Sequence, residues 1–592
     1  MNNRKQWQKS IFTLFLAWTF ILSILPIEAQ DIPPTEELSL GSSVFVFRGS
    51  SKSAQKKYVP RERSRKTRTI VQRAASTKRV RTQYNTLAKV VTRRERVKPI
   101  PQAEVEKFLR ASPKEAAIAF TGGGQYYLEK ADFDKSIELY RGANDLDGTN
   151  QDAVLGLSDA LAGKGDDLLE KEKADEAEKS YREALKYNDK NSSAYAGLGE
   201  VYDILDKNIE AIASYEKALE LDKDLTEIYT PLGILYYNQG EIAKADEFLS
   251  KALAASKDTA ETQYFLGLIR AKQTRYEDAL AAFNKSIRLD ATSAETHYAL
   301  GETLEKLSRE KDAIAEYKEA VKLNPKYVEA LFALGVAQYN QENYADAATA
   351  YSQVVKLQNT NGEAHANLGD TYRLMGDFGN SAGEYKLATY FIKDDAELFS
   401  KYGYVLGAQK KWESAIAALK SANTLSPDAI DFTNLGWAYY TWAQEDMRAK
   451  REAEGKAKIQ LAKEALQKAV SLNDKFAPAF LNLGVALNDL GEYQDSVVAL
   501  KRAVELREKW VFAINELGLA YRQLKDYDNA IKQFQKAVEI DKNFAIGLYN
   551  LGEAQVRSGK TDDARKTLEK LKALRSVFAN QLEALLLGAK RK

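Results

Sequence analysis

The chain has 592 residues, about four times the length of a typical single domain, so one closed core is excluded and several domains or a repeat array are expected. A hydrophobic fraction of 44%, with 10% aromatic and 29% charged residues, excludes a wholly disordered, collagen-like or polytopic membrane chain. The absence of cysteine removes disulfides, thiol catalysis, thiolate metal sites and a lipid-modified N-terminal cysteine, while a net charge of +2 conceals a separation of sign along the chain.

The first segment has the three-part layout of a secretory signal: basic Arg4, Lys5 and Lys9, a mostly apolar run from Ile11 to Leu25, then Pro26-Ile27-Glu28-Ala29-Gln30. The expected cleavage follows Ala29, leaving 1–29 as a signal peptide. The alternative is an uncut anchor, for which the run is short, since a span needs roughly 17 to 25 apolar residues. Export without cysteine fits a bacterial periplasm or cell envelope first and a secreted protein next. Residues 30–51 read as a polar N-terminal segment.

Between Lys52 and Lys98 seventeen Lys or Arg stand against Glu62 and Glu95, a net +15, and everything after Lys98 carries −13. This basic arm, 52–98, has too few large apolar side chains to build a core and is expected to be disordered or conditionally helical. It has three possible roles: docking on the acidic body, anchoring to an anionic lipid or polysaccharide surface, or serving as a solvated linker. Nucleic acid ranks last among its partners, because no regular aromatic interleaving offers base stacking.

Residues 99–116 make an N-terminal cap region. Ser112-Pro113-Lys114-Glu115 is a capping box with proline at the first helical position, so a helix is expected to start there. The next three glycines, Gly122-Gly123-Gly124, follow no strand and mark a soft helix rather than a phosphate loop.

From there a fixed period governs the chain: Gly199, Gly233, Gly267, Gly301, Gly335, Gly369 and Gly403 are each 34 residues apart. Twelve and sixteen residues after each comes a small and then a large residue, as in Tyr229-x-x-Leu232-Gly233-x-x-Tyr236, Ala245 and Leu249. On these residues the chain resembles the tetratricopeptide repeat, a helix-turn-helix unit of 34 residues. Extending the register through Gly124, Ser158, Gly436, Gly484, Gly518 and Gly552 gives about thirteen units over 117–575, and 576–592 form a capping helix and basic tail. The implied fold is all-α, a right-handed superhelical solenoid of helix hairpins. Two units are longer, near 158–184 and 436–469. Their charged inserts, Gly165 to Lys173 and Gln444 to Ile459, are expected to lengthen both helices of a hairpin and project into solvent.

No catalytic constellation emerges. His297 and His365 occupy the same place two repeats apart and read as packing residues, out of reach of a shared metal. The expectation is therefore no enzyme, no cofactor and no metal.

The resemblance implies that the first helices line a concave groove. Its fifth place holds Tyr264, Tyr298 and Phe332, with Tyr237, Asn238, Tyr339, Asn340, Arg373, Tyr404, Trp437, Tyr440 and Tyr549 at neighbouring places. The sixth holds Asn367, Asn434, Asn482 and Asn550, similar to the asparagine ladder of arrays that bind polypeptides by their backbone, because an amide can pair with both N–H and C=O. Lys401 and Glu516 interrupt it. Glu227, Glu261, Glu295, Glu329, Glu363 and Glu397 form an acidic rail that favours a basic peptide. The carboxylate clamp of chaperone-binding members is absent, its place holding Glu200, Ile234, Leu268, Glu302 and Val336. The expected function is an exported scaffold or adaptor that holds a protein or extended peptide and supports an envelope or secreted complex, with tethering through the basic arm as the alternative.

Overall fold

The computed structural model describes residues 37–40, 43–48, 100–101 and 112–589. The signal segment, the whole basic arm 52–98 and the last three residues lie outside the described residues. No helix among those described is long and apolar enough to cross a membrane.

From Pro113 to Ala589 the described residues form 27 α-helices, which pair in chain order into thirteen and leave Phe578–Ala589 as a cap. A standard pair is Ser192–Ile204 followed by Asn208–Leu221, thirteen and fourteen residues long. The 34-residue glycine has a direct cause. A Cβ built on Gly199 would stand 2.6 Å from the ring of Tyr215, sixteen residues later in the facing helix, and Gly301 meets Tyr317 in the same way at 2.5 Å. The missing side chain lets the first helix lie against the large residue of the second.

Local chemistry sets the ends. Ser112 and Glu115 make the capping box, with the Ser112 amide donating to the Glu115 carboxylate at 3.1 Å. The turn inside each hairpin needs a left-handed residue, supplied by Gly240, Gly376, Gly491 and Gly559 but also by Asp206, Thr274 and Ser308, with φ of 61°, 60° and 57°.

The molecule divides into two units, one comprising 1–57 with 342–592 and the other 58–341. Each has its own apolar core: Tyr181, Tyr215, Leu249 and Phe283 are fully buried in the second, and Tyr385, Trp437, Leu466 and Phe534 in the first.

The longer hairpins differ from expectation in one case. Near 436–469 both helices are extended, Ala429–Arg448 to 20 residues and Glu452–Leu472 to 21. Near 158–184 only the first helix grows: Gln151–Glu170 has 20 residues and Ala174–Tyr187 the usual 14. The residue facing Tyr181 is Gly165, whose built Cβ would lie 2.5 Å from the ring, so Gly165 and not Ser158 holds the glycine place. The extra two turns therefore precede Gly165, and the stretch expected to project carries buried Leu168 and Leu169.

The N-terminal segment departs most from its reading. Residues 30–51 are not merely polar: Glu37–Leu40 (β1) and Ser43–Val46 (β2) form an antiparallel hairpin in which Leu38 pairs with Phe45 and Leu40 with Ser43. Val44, Phe45, Val46 and Phe47 are buried at 4% exposure or less, in the core of the unit that ends the chain. The helical array thus carries one short sheet among its described residues.

Candidate functional site

Alternate backbone groups of an extended strand face opposite edges. In β2 the Phe45 edge pairs with β1, which turns the N–H and C=O of Val44 and Val46 toward the helices. Two asparagines receive them. The Val46 amide donates to Oδ1 of Asn434 at 2.8 Å, and Nδ2 of Asn434 donates to the Val46 carbonyl at 2.5 Å. One repeat on, the Val44 amide donates to Asn482 Oδ1 at 2.8 Å and Asn482 Nδ2 to the Val44 carbonyl at 2.7 Å. Asn434 and Asn482 replace a third strand.

The side chains between the clasps are read as well. Phe45 lies in a sandwich, 4.3 Å from Trp437 with rings 5° apart and 4.9 Å from Tyr404 at 19°. Gly407 makes the space, since a Cβ there would come within 2.7 Å of the Phe45 ring. Phe47 meets Tyr404 edge-on at 5.1 Å and carries the Arg373 guanidinium over its face at 4.0 Å. Arg48 bonds Asp431, which also accepts from Ser400, and approaches Asp428 at 3.9 Å. Burial pushes the Asp431 carboxyl up to about 6 even though Arg48 beside it pulls it down.

A charged chain runs on beneath Phe47. Asp370 accepts from Tyr385 at 2.6 Å and pairs with Lys401 at 3.1 Å, and Lys401 reaches Glu397 at 2.9 Å. The lysine that breaks the asparagine series is therefore a buried ion-pair partner, held between two carboxylates.

The remaining candidates fall in several settings. In the unit that holds β2, Asn367 is fully buried, and Asn550 donates to Asn515 at 2.9 Å rather than to a strand. Tyr440 donates to Asp489 at 2.9 Å, and Tyr549 packs on Phe578 at 5.5 Å. In the other unit, Tyr237 packs on Phe265, Tyr264 on Phe265 and Phe283, and Tyr298 on Tyr317 and Tyr327. Phe332 and Tyr339 are buried at 2% exposure, while Tyr264 and Tyr298 of the same aromatic column are half-buried. Asn238 and Asn340 are exposed at helix ends.

The acidic rail has five half-buried members and one exposed, Glu397. Glu261, Glu295, Glu329 and Glu363 are half-buried in the first turns of their helices, Glu397 pairs with Lys401, and Glu227 lies in a 3-10 turn, its carboxyl raised by burial. His297 and His365 are buried, and Nδ1 of each lies 2.6 Å from a glutamate nineteen residues on, Glu316 and Glu384. Sequence reasoning missed β2, Asp428, Asp431, Ser400 and Gly407. The one available signal was the apolar run Val44–Phe47 between Gly41 and Gly49.

This geometry defines a helical-hairpin repeat protein whose first helices present paired amides to an extended chain. Models described as TPR repeat match residues 205–240, 267–308 and 518–559, and models described as tetratricopeptide repeat match 226–259, 298–364, 332–394, 479–509 and 547–574. The chain belongs to the tetratricopeptide-repeat family and, as such an array, is a protein-interaction scaffold. Among solved structures it is similar to the MamA protein, 26% identical over 29% of this chain and 94% of that one, with a TM-score of 0.27. It is also similar to pilF of Pseudomonas aeruginosa, 20% identical over 36% and 96% with a TM-score of 0.32. The APC/C hetero-tetramer Cut9-Hcn1 is 15% identical over 83% and 99%, with a TM-score of 0.32. No curated protein matches the sequence.

Proposed function

We propose that this protein is an exported adaptor that holds a partner polypeptide in extended form against its first helices and so supports assembly of an envelope or secreted complex. The observation that carries the reading is the double clasp: Asn434 and Asn482 each take both backbone groups of one residue of an extended strand. A side chain that binds N–H and C=O together reads backbone rather than sequence, which suits a scaffold. Asp428 and Asp431 at the end of the strand favour a basic residue there. Export rests on the basic, apolar and small-residue succession before Gln30.

The test compares crosslinked partners of the full chain and of Asn434→Ala/Asn482→Ala in the native cell envelope. Loss of a partner from the double variant supports the reading, whereas equal recovery assigns the interaction to another surface. Sequencing the N-terminus of the mature protein checks export, with Gln30 the expected first residue.

A further inference from the structure

The groove that clasps a strand is filled by the chain itself. Three kinds of group converge on residues 44–48: amides on the backbone of Val44 and Val46, aromatic rings on Phe45, and the Arg373 guanidinium and two carboxylates on Phe47 and Arg48. Each reads a property that any extended chain of the same pattern would carry. From the geometry we infer that Val44–Arg48 is an internal stand-in for the partner, and that the partner presents an extended segment with aromatic residues two apart followed at once by an arginine. This rests on the reading of the groove as a polypeptide site.

The physical argument starts from what an empty groove would contain. Asn434, Asn482 and Asp431 are buried at 3% exposure or less, with the strand as a principal hydrogen-bond partner of each, and the Trp437 face would be bared. An occupied groove is therefore strongly favoured over an empty one. A tethered segment competes at an effective concentration set by its linker, so a free partner meets the groove only in the fraction of molecules whose own strand has left. The strand therefore sets a threshold. A segment lacking the second aromatic or the arginine does not overcome it, and one supplying both replaces β2 residue for residue.

The test uses the full chain and a fluorescein-labelled peptide of residues 41–50, read by anisotropy. In Val44→Pro/Val46→Pro the two clasped N–H groups are gone and the internal strand is disabled. The variant is expected to bind the peptide at least ten-fold more tightly than the wild type. A peptide with serine for both phenylalanines should not bind, and one with glutamate for the arginine should bind more weakly. Equal, tight binding by wild type and variant would overturn the internal stand-in while leaving the polypeptide groove intact. Failure of both to bind, with the variant folded by circular dichroism, would sink the groove reading itself. Should the variant unfold, hydrogen exchange of the wild type decides. Val44 and Val46 amides opening far more readily than those of Leu435 and Leu483 support an exchangeable strand, and identical protection overturns it.

Discussion

Asn434 and Val46 exchange two hydrogen bonds, 2.8 Å and 2.5 Å long, across 388 residues of sequence. A side-chain amide has the same donor and acceptor pair as a strand edge, so one residue per repeat continues a ladder that the helices cannot make. With Asn482 on Val44 the register of the strand is fixed at two positions two residues apart.

Truncation of either clasp should therefore cost more than truncation of an asparagine at the same repeat place that holds no strand. Asn434→Ala leaves two buried backbone groups of Val46 unpaired and is expected to destabilise its unit by about 1–3 kcal/mol for each unsatisfied group. Asn550→Ala, which loses chiefly its bond to Asn515, should cost about 1 kcal/mol. Urea unfolding of the two variants, followed by tryptophan fluorescence, separates them.

The Asp431 carboxyl titrates at about 6 in the folded chain, above the roughly 3.9 of an exposed aspartate. A folded pKa above the unfolded one means that the folded state binds the proton more tightly. Through this group, stability rises as pH falls from above 6 toward about 4, and is lost as pH rises through 6. Arg48→Met removes the charge that pulls the value down, so the carboxyl should titrate still higher. Carboxyl carbon NMR of the two proteins measures the shift, and an unchanged or lower value in the variant would contradict the pairing.

His297 obeys the same sign through a different cause. Its bond to Glu316 raises its pKa above the ordinary 6.5. The stabilisation is complete below the unfolded value near 6.5 and fades as pH rises through the folded one. In Glu316→Gln the imidazole should titrate lower, and the loss of thermal stability should be larger at pH 6 than at pH 9.

Two glycine exchanges should have opposite signs. Gly199→Ala drives a methyl to 2.6 Å from Tyr215 and is expected to cost about 1–3 kcal/mol by overpacking. Thr274→Gly removes a β-branched residue from a φ of 60° and should gain about 1 kcal/mol. Thermal melts of the pair test whether the glycine is needed for contact at one place and for conformation at the other.

How much of this was visible in the sequence follows from the range of each interaction. The helix pairs were legible because the contact between Gly199 and Tyr215 spans only sixteen residues and recurs with the period. The insert was misplaced because Ser158 lies 34 residues after Gly124 while Gly165 lies 34 before Gly199, and both satisfy the spacing. Only the ring of Tyr181 decides between them. The asparagine series was legible as residue types, but its occupant was not. Val44–Phe47 has the composition of a buried strand, yet its partners lie hundreds of residues away, and no local pattern fixes such a pairing. The burial of Phe332 and Tyr339 was not legible because a tyrosine or phenylalanine on a helix face serves a groove and a core equally well until the neighbouring helix is in place.

The central claim, that residues 44–48 sit in the asparagine-lined groove, is tested most directly by a double-mutant cycle between Arg48 and Asp431. Urea unfolding is measured for the wild type, Arg48→Met, Asp431→Asn and the double variant. The account predicts non-additive losses, with a coupling of at least about 1 kcal/mol, because each single change leaves a group without its partner and the double change removes both. Strict additivity, with a coupling indistinguishable from zero, would mean that Arg48 and Asp431 do not meet and that the strand lies elsewhere.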